Sequence, residues 1–189
     1  LVATPERAAE LSSQPTIRVR LLGFGQARVP LARMPEATVP AARRALERAG
    51  LAIRDIDAFK THNPFALNDL VFSREMGVDV AKMNNYGSSL VWGHPQAPMG
   101  MRSVIELIEE LALRGGGRGL FAGCAAGDSA MALVLEVGDR CHPLRHLVPV
   151  AEGRELAAGA VDDRSVAGEL AAGDDARRSN DHCRDRRGA

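Results

Sequence analysis

The sequence predicts an α/β domain with helices on the faces of its sheet. Three observations carry that expectation. Short apolar or alternating runs (16–22, 130–137) are separated by stretches of helical period (39–49, 101–114). The elements follow one another as strand, helix, strand, helix, loop, helix, strand, strand. Glycine or proline marks most of the junctions.

Each element has a local reason. In residues 16–22 the apolar Ile17, Val19 and Leu21 alternate with Arg18 and Arg20, a strand that Gly23 and Gly25 are expected to end. Thr38 is placed to cap the next helix, Pro40 fits its first turn and Gly50 stops it. Val39, Ala42, Leu46 and Ala49 share one face of that helix. Residues 55–60 read as a short buried strand. Residues 65–76 read as a second helix, with Phe65 in the core and Gly77 at the stop.

Residues 83–99 break every period and read as a loop, the kind of segment that carries chemistry on a rigid scaffold. Residues 101–114 form the clearest helix. Its stripe is Val104, Leu107, Ile108 and Leu111, with Glu106, Glu109 and Glu110 off it, and Gly115-Gly116-Gly117 breaks it as a turn. Residues 120–123 form a short strand. Residues 130–137 form an almost wholly apolar one, with Glu136 its one charge, expected to be buried on both faces.

Composition excludes several classes. The 24 basic and 24 acidic residues cancel, so no general attraction to nucleic acid or an anionic membrane is expected. No apolar run approaches the roughly 20 residues of a membrane helix. Three cysteines, Cys124, Cys141 and Cys183, make no disulfide framework, which points to a reducing, cytoplasmic setting. Residues 1–15 are a lead-in without a signal-peptide core, and a first residue other than methionine suggests a piece of a longer protein. Residues 16–138 make the domain. Past Gly138 periodicity is lost and Arg, Asp, Ala and Gly dominate, so residues 139–189 are expected to be a disordered tail. The abruptness of that change also suggests a shifted reading frame.

Three segments carry the chemistry: His62-Asn63-Pro64-Phe65 opening a helix, Asn84-Asn85-Tyr86-Gly87 leading to Gly93-His94-Pro95, and Cys124-Ala125-Ala126-Gly127 before the last strand. In this order and on these elements they resemble the motifs of the thiolase family, over residues 16–137. The match is to the C-terminal half of a thiolase, in the branch with histidine at the first motif position. The resemblance implies a thiolase-like C-terminal domain with a mixed sheet. It implies acyl transfer between coenzyme A thioesters, by Claisen condensation or thiolysis, with the thioester as substrate and no metal or prosthetic group.

By the same resemblance, His94 activates the nucleophilic thiol, Cys124 is the second acid/base and His62 helps hold an enolate oxygen. Ala126 and Gly127 would form a second oxyanion site, with Asn84 and Trp92 also lining the substrate site. Implied partners are an acyl-CoA substrate, an N-terminal thiolase half and a homo-oligomer in the full-length protein. The sequence departs from the pattern at Ala97, Ala126 and Asp128, where the family usually has glycine, and Trp92 is large for its place. The largest departure is that no cysteine precedes Cys124, so the family's nucleophile is missing from this stretch.

Each motif has a bland reading. A loop histidine is usually a surface group, and a lone cysteine a small buried hydrophobe. The joint order of the three segments outweighs both. Cys141-His142, His146 and His182-Cys183 lack a zinc-site spacing, so no metal is expected. The alternative to an acyltransferase is a non-catalytic thiolase-like domain with a structural or interaction role.

Overall fold

The computed structural model describes residues 2–138. An exposed helix, α1 (Pro5–Leu11), precedes strand β1 (Arg18–Arg28). Then come α2 (Thr38–Ala49), β2 (Ala58–His62), α3 (Ala66–Met76), a short α4 (Ser89–Trp92), α5 (Met99–Leu113), β3 (Gly116–Cys124) and β4 (Ser129–Gly138). The four strands form one sheet in the order β1-β4-β3-β2. β1 and β3 run antiparallel to β4, and β2 runs parallel to β3, so the sheet is mixed as expected.

Gly23 and Gly25 do not end β1; they lie within it. A Cβ on Gly23 would stand 2.4 Å from the Ala45 carbonyl oxygen, and one on Gly25 2.1 Å from that of Ala41. These glycines let α2 lie against the strand backbone. Leu21 faces Leu135 and Gly23 faces Val134, so Leu22 is an extra residue that bulges the strand.

Helix α2 buries Val39, Ala41, Ala42, Ala45, Leu46 and Ala49. Thr38 is not its cap. The chain enters through a 3-10 turn, Met34–Ala37, and the Thr38 hydroxyl donates to the Pro35 carbonyl at 3.2 Å. Gly50 closes the helix at φ 66°, as expected.

Strand alternation builds two cores. Phe59, Leu120, Ala122, Ala130, Ala132 and Val134 pack toward α2 and α3, with Phe72 and Met76. Ala58, Phe121, Leu135 and Val137 pack on the other face with Leu107 and Leu111 of α5. α5 reaches β2, β3 and β4, but the β1 side of that face is open. Val19, Leu21 and Phe24 there are 44–48% exposed, and Met131 of β4 is 41% exposed.

Other expectations need correction. β2 extends to His62, and β3 begins at Gly116, inside the triple glycine. Gly116 and Gly117 pair with Gly138 and Val137, so they open a strand as well as end a helix. α4 lies in the segment read as loop. Phe65, expected in the core, is 60% exposed. Glu110, placed off the α5 stripe, is buried, paired with Arg114 and accepting from Asn85 Nδ2 at 2.7 Å. Glu136 is buried too, with Arg118 at 3.4 Å and Arg20 at 3.5 Å. Charge cannot be buried cheaply without such partners. The expected disordered tail, 139–189, lies outside the described residues.

Candidate functional site

The parallel pairing of β2 and β3 puts their carboxyl ends side by side. His62 is the last residue of β2 and sits opposite Gly123, with Cys124 next in line. His62 Nδ1 is 3.3 Å from the Cys124 carbonyl oxygen and 3.5 Å from Cys124 Sγ. The loop after α3 returns over the same edge and brings His94 Nδ1 to 2.9 Å from His62 Nε2. The two imidazole centroids are 4.6 Å apart. Thus the three residues singled out from sequence, spread over 62 positions, converge at one sheet edge.

The returning loop is tied to the sheet at several points. Asn84 takes a left-handed φ of 53°, and its backbone N–H donates to the Phe59 carbonyl at 2.9 Å. Its side-chain oxygen accepts from Thr61 N at 2.9 Å, and its Nδ2 donates to Thr61 Oγ1 at 2.7 Å and Asp69 Oδ2 at 3.3 Å. The Asn84 amide is thus occupied in strapping the loop to β2. Buried Lys60 reaches the Gly87 carbonyl at 2.9 Å and Glu106 at 2.8 Å. Two cations stack on the Trp92 ring, Arg102 at 3.8 Å from its centroid and Lys60 Nζ at 5.2 Å. Gly87 makes room for that ring, since a Cβ there would meet Trp92 Cζ2 at 2.4 Å. Trp92 therefore packs into the base of the loop that carries His94.

Ala126 and Gly127 form the turn into β4. Ala126, Gly127 and Asp128 are all left-handed, at φ 62°, 57° and 56°. The Ala126 carbonyl accepts from Ser129 Oγ at 2.6 Å. Alanine and aspartate there pay a steric cost that glycine would avoid. Both Ala126 and Gly127 are exposed beside Cys124.

Proton placement follows from the partners. A carbonyl oxygen only accepts, so His62 Nδ1 carries the hydrogen toward Cys124. Burial chiefly pushes the His62 pKa down; the bond to the Cys124 backbone opposes this and the charge of His94 reinforces it. His62 is then neutral and its Nε2 accepts, so His94 donates through Nδ1. A neutral His94 is left with a free electron pair on Nε2, and its side chain is exposed. Burial also raises the pKa of the free Cys124 thiol, opposed by its own backbone and by the Asn68 side chain. Cys124 rests as a thiol whose conjugate base is strong.

Sequence reading missed Thr61, Asn68 and Asp69. Asp69 accepts from Thr61, Asn63 and Asn84 and organises the polar ground under the site. Asn68 is buried in line with Phe72 and Met76 on α3. A polar residue at four-residue spacing in an apolar stripe was the available signal. Among the described residues, no group of three or more His, Cys, Asp or Glu is placed to hold a metal ion, and no helix is long and apolar enough to cross a membrane.

The sequence and the fold both have relatives among known proteins. Residues 15–137 match the family model for the thiolase C-terminal domain. An acetyl-CoA acetyltransferase of Syntrophomonas wolfei is 33% identical over 138 residues, which is 72% of this chain and 34% of that protein. A 3-ketoacyl-CoA thiolase of Salmonella typhimurium is 36% identical over 155 residues, 72% of this chain and 35% of that protein. The chain thus spans about a third of the length of these curated relatives. Among solved structures, the Bacillus anthracis acetyl-CoA acetyltransferase superposes with a TM-score of 0.64 at 32% identity, over 70% of this chain and 33% of its own. The human mitochondrial 3-ketoacyl-CoA thiolase, solved in complex with CoA, gives 0.60 at 30% identity, over 62% and 30%. Fold and relatives agree: the chain belongs to the thiolase family, of which it carries the C-terminal domain.

Proposed function

We propose that this domain is the acid/base half of a thiolase-type acyltransferase, working on coenzyme A thioesters. The convergence of His62, His94 and Cys124 supports this reading. His94 Nε2 takes the proton of a thiol, and the resulting thiolate attacks the thioester carbonyl. Protonated His94 then has an N–H to offer to the oxygen that gains charge. His62 holds His94 by the 2.9 Å hydrogen bond and keeps that nitrogen facing outward. In thiolysis, the Cys124 thiol gives its proton to the departing carbon and becomes a thiolate. In condensation, that thiolate removes the proton beside the carbonyl, and the raised basicity of a buried thiolate suits so weak an acid. Ala126 and Gly127 supply backbone N–H groups to the second carbonyl oxygen. Trp92 and Asn84 shape and fix the loop. This reading uses the thioester as substrate, and no metal or prosthetic group.

The nucleophilic cysteine is the part that must come from elsewhere, because none precedes Cys124. We place it on an N-terminal thiolase half that covers the open β1 side of the sheet, where Val19, Leu21 and Phe24 are half exposed. A homo-oligomer of the whole protein and a cytoplasmic, reducing setting belong to the same proposal. The test is coenzyme A-dependent cleavage of a 3-oxoacyl-CoA by this chain alone and with an N-terminal thiolase half. The chain alone should be inactive, and the added half should restore turnover that Cys124→Ala abolishes. Turnover by the chain alone, lost in Cys124→Ala, would make Cys124 the nucleophile. Ala126 and Asp128, non-glycine residues held at positive φ in the turn after Cys124, favour a second reading, a non-catalytic domain. Stable association without rescue would establish it.

A further inference from the structure

A buried charge that the proposed chemistry does not use is Lys60. It is 1% exposed and lies on β2, two residues before His62. It shares a face of the sheet with Ala58, which packs with Leu107 and Leu111 of α5. A methionine there would fill the same space with no charge to desolvate. A buried ion pair is often no more stable than apolar side chains of the same size, so Lys60 calls for a use.

Its bonds indicate that use. Glu106 of α5 stands 2.8 Å from the ammonium, but as a contact of charge, since Glu106 Oε2 has no aligned hydrogen-bond donor among the described residues. The aligned hydrogen bond goes to the Gly87 carbonyl, at 2.9 Å, in the loop that carries His94. The Trp92 ring fills the space that a Cβ on Gly87 would take, and its centroid is 5.2 Å from the same Nζ. Arg102 stacks on that ring at 3.8 Å and donates to Glu106 Oε1 at 3.0 Å. Strand β2, helix α5 and the loop thus meet in one cluster. His94 follows Trp92 by two residues, across Gly93 at φ 87°, so the seat of Trp92 sets where the imidazole stands. Asn84 straps the start of the loop, and Lys60 acts further along it. The imidazole itself is held by its 2.9 Å bond to His62. One hydrogen bond between neutral rings contributes too little to order a loop by itself.

We propose that Lys60 is a positioning residue for His94: neutralised by Glu106, it holds Gly87 and Trp92 so that His94 Nδ1 meets His62 Nε2 and His94 Nε2 is left facing outward. Its importance for turnover rests on the acyltransferase reading. The positioning itself does not, because it is read from contacts within this chain. The same contacts explain why a lysine is buried where an apolar side chain would fit.

The experiment reads the tautomer of His94 by proton–nitrogen correlation NMR. It uses the full chain, labelled with nitrogen-15 histidine and carrying His142→Gln, His146→Gln and His182→Gln, so that His62 and His94 are the remaining histidines. Spectra are taken at about pH 8, above the ordinary histidine pKa, where both rings are neutral. A ring nitrogen that carries hydrogen resonates far from a bare one, so each imidazole reports its own tautomer. In the parent, His94 should carry its hydrogen on Nδ1. In Lys60→Met its signals should move toward the Nε2–H form that a free imidazole prefers, leaving Nδ1–H the minor form, while His62 keeps its hydrogen toward the Cys124 carbonyl. Glu136→Gln is the control for general loosening. It weakens a buried ion pair on the opposite face of the sheet, should lower Tm and should leave the His94 signals as in the parent. If Lys60→Met does not fold, the double variant Lys60→Met with Glu106→Gln, which also removes the carboxylate left behind, is measured with the same expected shift. An unchanged His94 tautomer in a folded Lys60 variant overturns the proposal. So does a parent whose His94 already averages between tautomers, or an equal change in Glu136→Gln. Failure of both Lys60 variants to fold overturns it as well, by making Lys60 a structural group. No N-terminal half and no turnover enter this measurement, so the two proposals fail separately.

Discussion

The two ends of this domain solve opposite problems. Under α2 the sheet is dry and closed. Alanines 41, 42, 45 and 49 are almost wholly buried, and Gly23 and Gly25 bring strand and helix backbones together. At the carboxyl ends of β2 and β3 the ground is polar. Thr61, Asn63 and Asn84 converge on Asp69, and His62, next to Thr61, meets Cys124 at 3.5 Å. The rim there is open, with Phe65, Leu67, Leu90 and Val91 more than half exposed. Close packing of small side chains secures the fold at one end. At the other, hydrogen bonds fix side chains whose burial adds little stability. Damage at the first end should therefore cost folding, and damage at the second should cost chemistry.

Gly25→Val is the most severe challenge to that contrast. Its Cβ would stand 2.1 Å from the Ala41 carbonyl oxygen, so α2 must move off the sheet. A loss of about 3 kcal/mol or more in urea unfolding is expected. A loss under about 1 kcal/mol would mean that the α2 side is not tightly packed. Asp69→Ala comes next. It leaves donors on Thr61, Asn63 and Asn84 without their acceptor, at about 2 kcal/mol in the same measurement. In the reconstituted enzyme it should also lower kcat, because Asn84 no longer straps the His94 loop.

Acid should loosen the site end alone. Burial holds the His62 pKa below its ordinary 6.5, so the unfolded chain binds that proton more readily than the folded one. Stability present at neutral pH is then lost as pH falls through about 6.5, and the loss levels off below the folded value. His62→Gln should flatten that part of the Tm profile. An unchanged profile would mean that His62 is not protected by burial. The smallest effect on stability belongs to His94→Ala. His94 is exposed, so the variant should unfold within about 0.5 kcal/mol of the parent, while rescue of acyl transfer by an N-terminal half is lost. Retained rescue would remove His94 from the chemistry.

The sequence by itself determined the class of fold, the order of its elements and three of the residues that meet at the site. Periodicity is a local property: the α2 stripe follows from spacing along the chain, and Gly50 and Gly77 stop helices because only the left-handed backbone is needed there. Motif order carried His62, His94 and Cys124. Tertiary structure alone decided what could not be local. Gly23 and Gly25 read as strand ends until α2 is seen pressed against them. Glu110 and Glu136 read as a solvated charge and a lone exception until their arginine partners are in place. Asn68 reads as one polar residue on a helix until the packing of α3 leaves it 1% exposed. Even the parallel pairing of β2 with β3, which sets His62 and Cys124 at one edge, joins strands far apart in sequence. The burial energy that selects such pairings depends on the whole sheet, and no window of neighbouring residues contains it.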